Sequence, residues 1–270
     1  MSTKAETNYF VLPAYTLWWR EMVRFFRQRD RVIGALGTPL VFWLLLGLGL
    51  GKSFSAPVAP EGHGYLEYFF GGTIVLVLLF TAIFSTISII EDRREGFLQA
   101  VLVAPVGRFA LVLGKILGGT TLALIQGLVF VLLAPFVGVS LSVVAVIWLV
   151  VVMFLLAFAL TGLGFLLAWR MDSTQGFHAI MNLFLIPLWL LSGAVFPPSG
   201  APAFMRWIMM CNPVYYGVIA IRHGLYWNAP LATAGMPSRE LSLVVTAVFA
   251  ATMFLLSLKA AQRTTRGDLQ

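Results

Sequence analysis

Charge is scarce in this sequence. Asp, Glu, Lys and Arg make up 11% of its 270 residues, where soluble domains carry about 25%. Hydrophobic residues reach 60% and the mean hydropathy is +0.91, which excludes an ordinary soluble domain. Cysteine occurs once, at Cys211, so no disulfide can form within the chain. The three histidines, His63, His178 and His223, lie far apart in sequence. None has a second His or Cys at ligand spacing, so no metal or other cofactor is expected. There is no H-E-x-x-H, no G-x-S-x-G and no pair of carboxylates inside an apolar run, which leaves an intramembrane enzyme little to work with. The stretch GLGLGKS over 47–53 has three residues, not four, between Gly47 and Gly51. It also closes an apolar run and follows no strand, so it is not a phosphate loop. Gly47 and Gly51 suit close helix packing, and Lys52 suits an anchor. The net charge is +7. No Lys/Arg stripe with interleaved aromatics lies outside the apolar runs, so the excess reads as membrane surface and not nucleic acid.

What the sequence has is long uncharged runs. Six of them, 32–50, 69–90, 116–138, 143–169, 177–196 and 241–258, approach or exceed the ~20 residues that cross a bilayer as a helix. They are too continuous for alternating barrel strands. The expectation is an all-α integral membrane protein, a single transmembrane domain over 1–270 with six spans. No secretory signal peptide is visible, and the first run, from Val32, is long enough to remain as an anchor. Placing both termini in the cytoplasm puts 14 Lys and Arg inside against four outside, Lys52, Arg206, Arg222 and Arg239, as the positive-inside rule favours.

Two segments flank these runs. Over 14–29, after Pro13, the residues Tyr15, Trp18, Met22, Phe25 and Phe26 recur at helical spacing, with Arg20, Arg24 and Arg27 on the opposite side. An amphipathic interface helix is expected, with its aromatics in lipid and its arginines on headgroups or a partner. After the fifth run, SGAVFPPSGAP breaks the helix, and 203–227 is apolar but interrupted by Arg206, Asn212–Pro213 and Arg222. Two short helices dipping into the outer leaflet are expected there, with an ordinary interfacial cap as the other reading.

The stretch EDRREG, from Glu91 to Gly96, follows 22 uncharged residues over 69–90. Arg93 and Arg94 obey the positive-inside rule, but Glu91, Asp92 and Glu95 add nothing to it. A short charged helix over 91–98, with Phe97 and Leu98 as its apolar side, gives a partner a grip fixed to two spans. A plain cytoplasmic loop is the alternative. The spans themselves hold no Asp, Glu, Lys or Arg, so driving energy is expected from outside the bilayer.

The run IIEDRREGFLQAVLVAPVGRFALVLGK resembles the signature of ABC-transporter permeases of the type 2 export family. There an acidic residue precedes a glycine, an apolar stretch and a Pro-x-x-Arg element, here Gly96, 97–104, and Pro105 with Arg108. PLWLLSGAVFPPSGAP and NPVYYGVIAIRHGLY resemble a second element of the same family. Where the family usually has Thr-Leu-Glu after the glycine, this chain has Phe97–Leu98–Gln99. The resemblance implies a drug- or lipid-exporter-like permease subunit of a bacterial inner membrane, without ATPase activity of its own. Two cytoplasmic ATP-binding subunits and a second permease copy, or a related one, would be its partners, besides membrane lipids. Its cargo would be amphipathic: a drug-like molecule, a lipid or a glycoconjugate. Glu91, Asp92, Arg93, Arg94, Glu95, Gly96 and Phe97 would form the coupling helix. Arg20, Arg24 and Arg27 would belong to the interface helix. By resemblance alone, Trp43, Phe70, Phe80, Phe184 and Trp189 would border the cargo route. The competing reading is an ATPase-independent channel or membrane scaffold.

Overall fold

The computed structural model describes residues 2–50 and 64–263, which are mainly helical, with no strand among them. Gly51, Lys52, His63 and the C-terminal residues from 264 onward lie outside the described residues. Eleven α-helices follow in order among the described residues: α1 Ser2–Arg27, α2 Arg29–Leu50, α3 Tyr65–Ser85, α4 Ile87–Arg94, α5 Phe97–Val103, α6 Arg108–Val131, α7 Val143–Ala168, α8 Thr174–Leu190, α9 Ala203–Cys211, α10 Pro213–Leu225 and α11 Arg239–Gln262. Side-chain caps fix several starts. Ser142, Ser173 and Ser238 accept from the backbone N–H three residues on, and Asn212 accepts from Val214, which satisfies donors a helix N-terminus leaves open.

Among the described residues, four rods are long and apolar enough to cross a membrane: Tyr65–Arg94, Arg108–Val131, Val143–Ala168 and Arg239–Gln262. The apolar part of α2, Leu36–Gly49, is shorter, and α8 has 17 residues with Pro187 near its end. The first rod joins α3 to α4 through a single turn at Thr86, whose hydroxyl donates to Ile83 O at 2.6 Å. Its 30 residues extend about 45 Å, half as long again as a hydrocarbon core of ~30 Å. α3 is buried on nearly every face and forms the axis, with α2, α6, α7 and α10 packed around it.

Several boundaries differ from those read in the sequence. The helix expected over 116–138 starts at Arg108, because Lys115 interrupts the uncharged run on which the expected start rests, and stops at Val131 before Pro135. The fifth run ends as a helix at Leu190 and not 196. The N-terminal helix begins well before Pro13 and runs through it, and it is docked on α6. Gly114 and Gly118 of α6 make that docking possible. A Cβ at Gly114 would lie 2.6 Å from Ala14 O, and one at Gly118 would lie 2.8 Å from the Glu21 Cβ. Two glycines a turn apart let the α1 and α6 backbones approach closely. The aromatic face of α1 splits as a result. Met22 and Phe25 are buried with Leu122 of α6, while Tyr15 and Phe26 stay exposed.

Candidate functional site

Docking α1 on α6 carries its polar face onto the end of α4. Arg20 grips Asp92 with both Nη atoms, at 2.9 and 2.6 Å. Arg24 donates to Asp92 Oδ1 at 2.8 Å and to Glu91 Oε2 at 2.7 Å. Lys115, two turns into α6 beside Gly114, donates to Glu21 Oε1 at 2.5 Å and also to Asp92 Oδ2. Asp92 is fully buried, and Lys115 and Glu21 nearly so. Three cations thus face three carboxylates across α1, α4 and α6, and each charge has a charge-assisted hydrogen bond. Burial works against the charge on Arg20, but the bond to Asp92 and its field outweigh it, so the guanidinium's pKa is raised. Arg20 and Arg24, two of the three arginines expected on headgroups or a partner, thus pair with the chain's own acids. Of the three, Arg27 stays exposed, in a groove shared with Trp19, Val23, Gln28 and Glu95.

The charged stretch is not one helix over 91–98. Glu91 to Arg94 form the last turn of α4, and Gly96, at φ +76°, turns the chain into α5. A left-handed glycine is a common helix stop, since it carries no Cβ to clash. Phe97 then lies under Arg20, with the guanidinium 3.7 Å from the ring centre, so Arg20 touches both sides of the turn. Leu98 is buried, and Gln99 donates to Arg93 O at 3.1 Å. The positions where the related pattern has Thr-Leu-Glu are thus all occupied with internal contacts. Arg93 reaches the other way: its Nη2 donates to Trp169 O at 2.6 Å and its Nη1 to Met171 O at 3.0 Å. Arg94 Nε donates to Asp172 O at 3.0 Å. Arg94, Glu95, Gly96, Ala100 and Val103 remain exposed.

A cavity of about 430 Å³ opens next to this end, between α2, α3 and α8. Phe25, Phe80, Phe84 and His178 supply aromatic walls, and Thr38, Thr81, Ser85 and Asn182 supply polar ones. Among the described residues no Asp, Glu, Lys or Arg lines it. Toward the far end of α3 the space is filled by rings. Trp43, Phe70 and Phe130 meet with centroids 5.3 to 5.6 Å apart, and Phe69 meets Trp189 at 5.9 Å. Trp43 Nε1 donates to Leu66 O and Trp189 Nε1 to Gly72 O. Of the five route residues implied earlier, Phe80 lines the cavity. Trp43, Phe70 and Trp189 are sealed in the ring layer, and Phe184 is exposed on α8. The three buried rings fill space between packed helices.

Beyond the ring layer, polar side chains cap the broken end of α8. Asn212 Nδ2 donates to Leu188 O and Leu191 O, Tyr68 and Arg222 donate to Gly193 O, and Tyr65 donates to Val195 O. The helix pair expected over 203–227 is present as α9 and α10, meeting at Asn212–Pro213.

A sequence model of the family described as "ABC-2 type transporter" matches residues 14–226. The chain belongs to that family. It is similar to transport permease ycf38 of Cyanophora paradoxa, 26% identical over 82% of this chain and 77% of the relative. It is similar to Nodulation protein J of Sinorhizobium fredii, 26% identical over 86% of each. It is also similar to the daunorubicin resistance ABC transporter permease protein DrrB1 of Streptomyces coeruleorubidus, 24% identical over 81% of this chain and 76% of the relative. The chain is an integral membrane transport permease. The match spans α1 from Ala14 onward, the charged node and the capped end of α8.

Sequence reasoning missed four contributors to this permease's node and its surroundings: Glu21, Lys115, Trp169 and Asp172. Lys115 was read as one more inside charge. Its place between Gly114 and Gly118 was the available signal, since two small residues mark where another helix comes close. Glu21 is the one acid in a 14–29 segment otherwise basic. Trp169 and Asp172 act largely through their backbone carbonyls, which no side-chain pattern reveals.

Proposed function

We propose that this permease is the membrane subunit of an ATP-driven exporter, worked by separate ATP-binding subunits that dock at its charged end. The observation that carries this reading is the exposed surface made by Arg94, Glu95, Gly96, Ala100 and Val103, anchored beneath by the Asp92 node. A surface so anchored passes a push to α1, α6 and the long α3–α4 rod together. α2 and α8 join the four long rods as spans, giving six, with α1 along the cytoplasmic interface and α9–α10 in the outer leaflet. Both termini are then cytoplasmic, in a bacterial inner membrane, and two permease copies share two ATPases. The cavity faces the charged end and is closed outward by the ring layer, so cargo enters from the inner side. Its aromatic walls and neutral polar groups suit an amphipathic cargo without a strong negative charge. One relative carries a name that touches on cargo, daunorubicin resistance, which accords with a drug-like member of that class.

The test uses exposed residues at the margin of the node, where Glu95 lies 3.7 Å from Arg24. Arg94→Glu and Glu95→Arg should abolish copurification of the ATPase while membrane insertion and melting temperature stay as in the parent. Full ATPase retention by both variants contradicts the docking site. Cargo movement into vesicles by the permease alone, without nucleotide, favours the channel reading instead.

A further inference from the structure

We propose that Arg93 is the positioning residue that sets the tilt of α8, and so relays movement of the charged end to the cavity wall. This rests on the docking reading above. Along its length α8 is held by a narrow seam. Phe177, Met181, Leu185 and Trp189 are its buried residues, one per turn, while Leu183, Phe184 and Ile186 face outward. A seam one residue wide resists sliding but permits pivoting, because a helix usually buries an apolar stripe of about 100° or more. The tilt of α8 is then governed by its ends. At the far end Asn212 holds Leu188 O and Leu191 O at 2.6 and 3.1 Å. At the near end the only chain between α7 and α8 is the short turn through Trp169–Ser173, and Arg93 is bonded to it.

The bonds have the geometry of a clamp. The planar fork of Arg93 spans Trp169 O and Met171 O with separate nitrogens, at 2.6 and 3.0 Å. These carbonyls lie at or just past the C-terminus of α7, where a helix leaves acceptors unfilled. The guanidinium also sits 5.8 Å from the Trp169 ring centre. Its third contact, Asp172 Oδ1 at 3.1 Å, adds little, because that carboxylate is 90% exposed. Arg93 is one residue from Asp92, so any displacement of the node moves the clamp directly. The wall that moves carries His178 and Asn182, one and two turns into α8.

The test reads α8 itself. Spin labels on Leu183→Cys and Val151→Cys, in a Cys211→Ser background diluted with unlabelled permease, report the distance from α8 to α7 in the reconstituted complex. ATPase copurification with the labelled parent is checked first; its failure would strike the docking reading and this inference with it. A non-hydrolysable ATP analogue is expected to shift the distance in the parent. Arg93→Gln and Arg93→Lys should keep the ATPase bound and remove the shift, since a lysine offers one point donor and no fork. Transport per ATP should fall about tenfold in both, and Asp172→Ala should stay within about twofold of the parent. An equal shift in Arg93→Gln, or none in a parent that binds its ATPase, overturns the inference and leaves the docking reading standing.

Discussion

At the charged end, Arg20, Arg24 and Lys115 face Asp92, Glu91 and Glu21 in one network centred on the buried Asp92. At the aromatic end, the buried Arg222 donates to Gly193 O and lies 4.0 Å from the centre of the Tyr68 ring, beside a layer of packed aromatics. The first arrangement depends on the number and sign of its charges, and a like-for-like shape cannot replace a missing one. The second depends on volume and on filling carbonyl acceptors, so shape matters more than charge. An ionic network can answer the charges of a docked protein; a ring layer answers mainly to what displaces it. That contrast fits a permease driven at one end and sealed at the other.

The largest effect should come from the node. Asp92→Ala leaves three cations without their shared acceptor, and a buried pair broken on one side costs about 3–5 kcal/mol. Thermal unfolding in mild detergent should show it, and Asp92→Asn, similar in shape, should recover little. A mild effect of either variant breaks the comparison at the charged end. Next comes Phe70→Ala, expected to lose about 3 kcal/mol through the hole it leaves. Here a neutral filler should help, and Phe70→Leu should recover more than half of the loss. Failure of that rescue would mean the ring layer needs more than volume. Arg222→Lys keeps the charge but loses the flat stack on Tyr68, for about 1–2 kcal/mol. Smallest of all, Glu95→Gln should change stability by less than about 0.5 kcal/mol, because its carboxylate is mostly exposed and 3.7 Å from Arg24.

The sequence made the helical membrane class legible because apolar runs of bilayer length have few other uses. It also marked EDRREG and the break at Asn212–Pro213, since charge after a long apolar run and a capped proline are local signals. What it hid was pairing across the chain. Arg20 and Asp92 lie 72 residues apart, and Lys115 and Glu21 lie 94 apart; each alone looks like a surface charge. Only the Gly114 and Gly118 approach brings them together. Helix limits failed where one charge, Lys115, interrupts a rod that begins at Arg108, or where Gly96 ends one inside a charged run. Trp43 and Trp189 had the chemistry of cargo contacts, but their indoles are used on Leu66 O and Gly72 O within the bundle.

Photo-crosslinking offers the most direct check that power enters at the charged end. A photoreactive side chain is placed in turn at Glu95, at Ala100 and at Trp207, which is exposed on α9 near the opposite end, in cells that also make the ATP-binding partner. Capture of the ATPase from Glu95 and Ala100, and none from Trp207, is the expected result. Capture from Trp207 with none from the other two would contradict it.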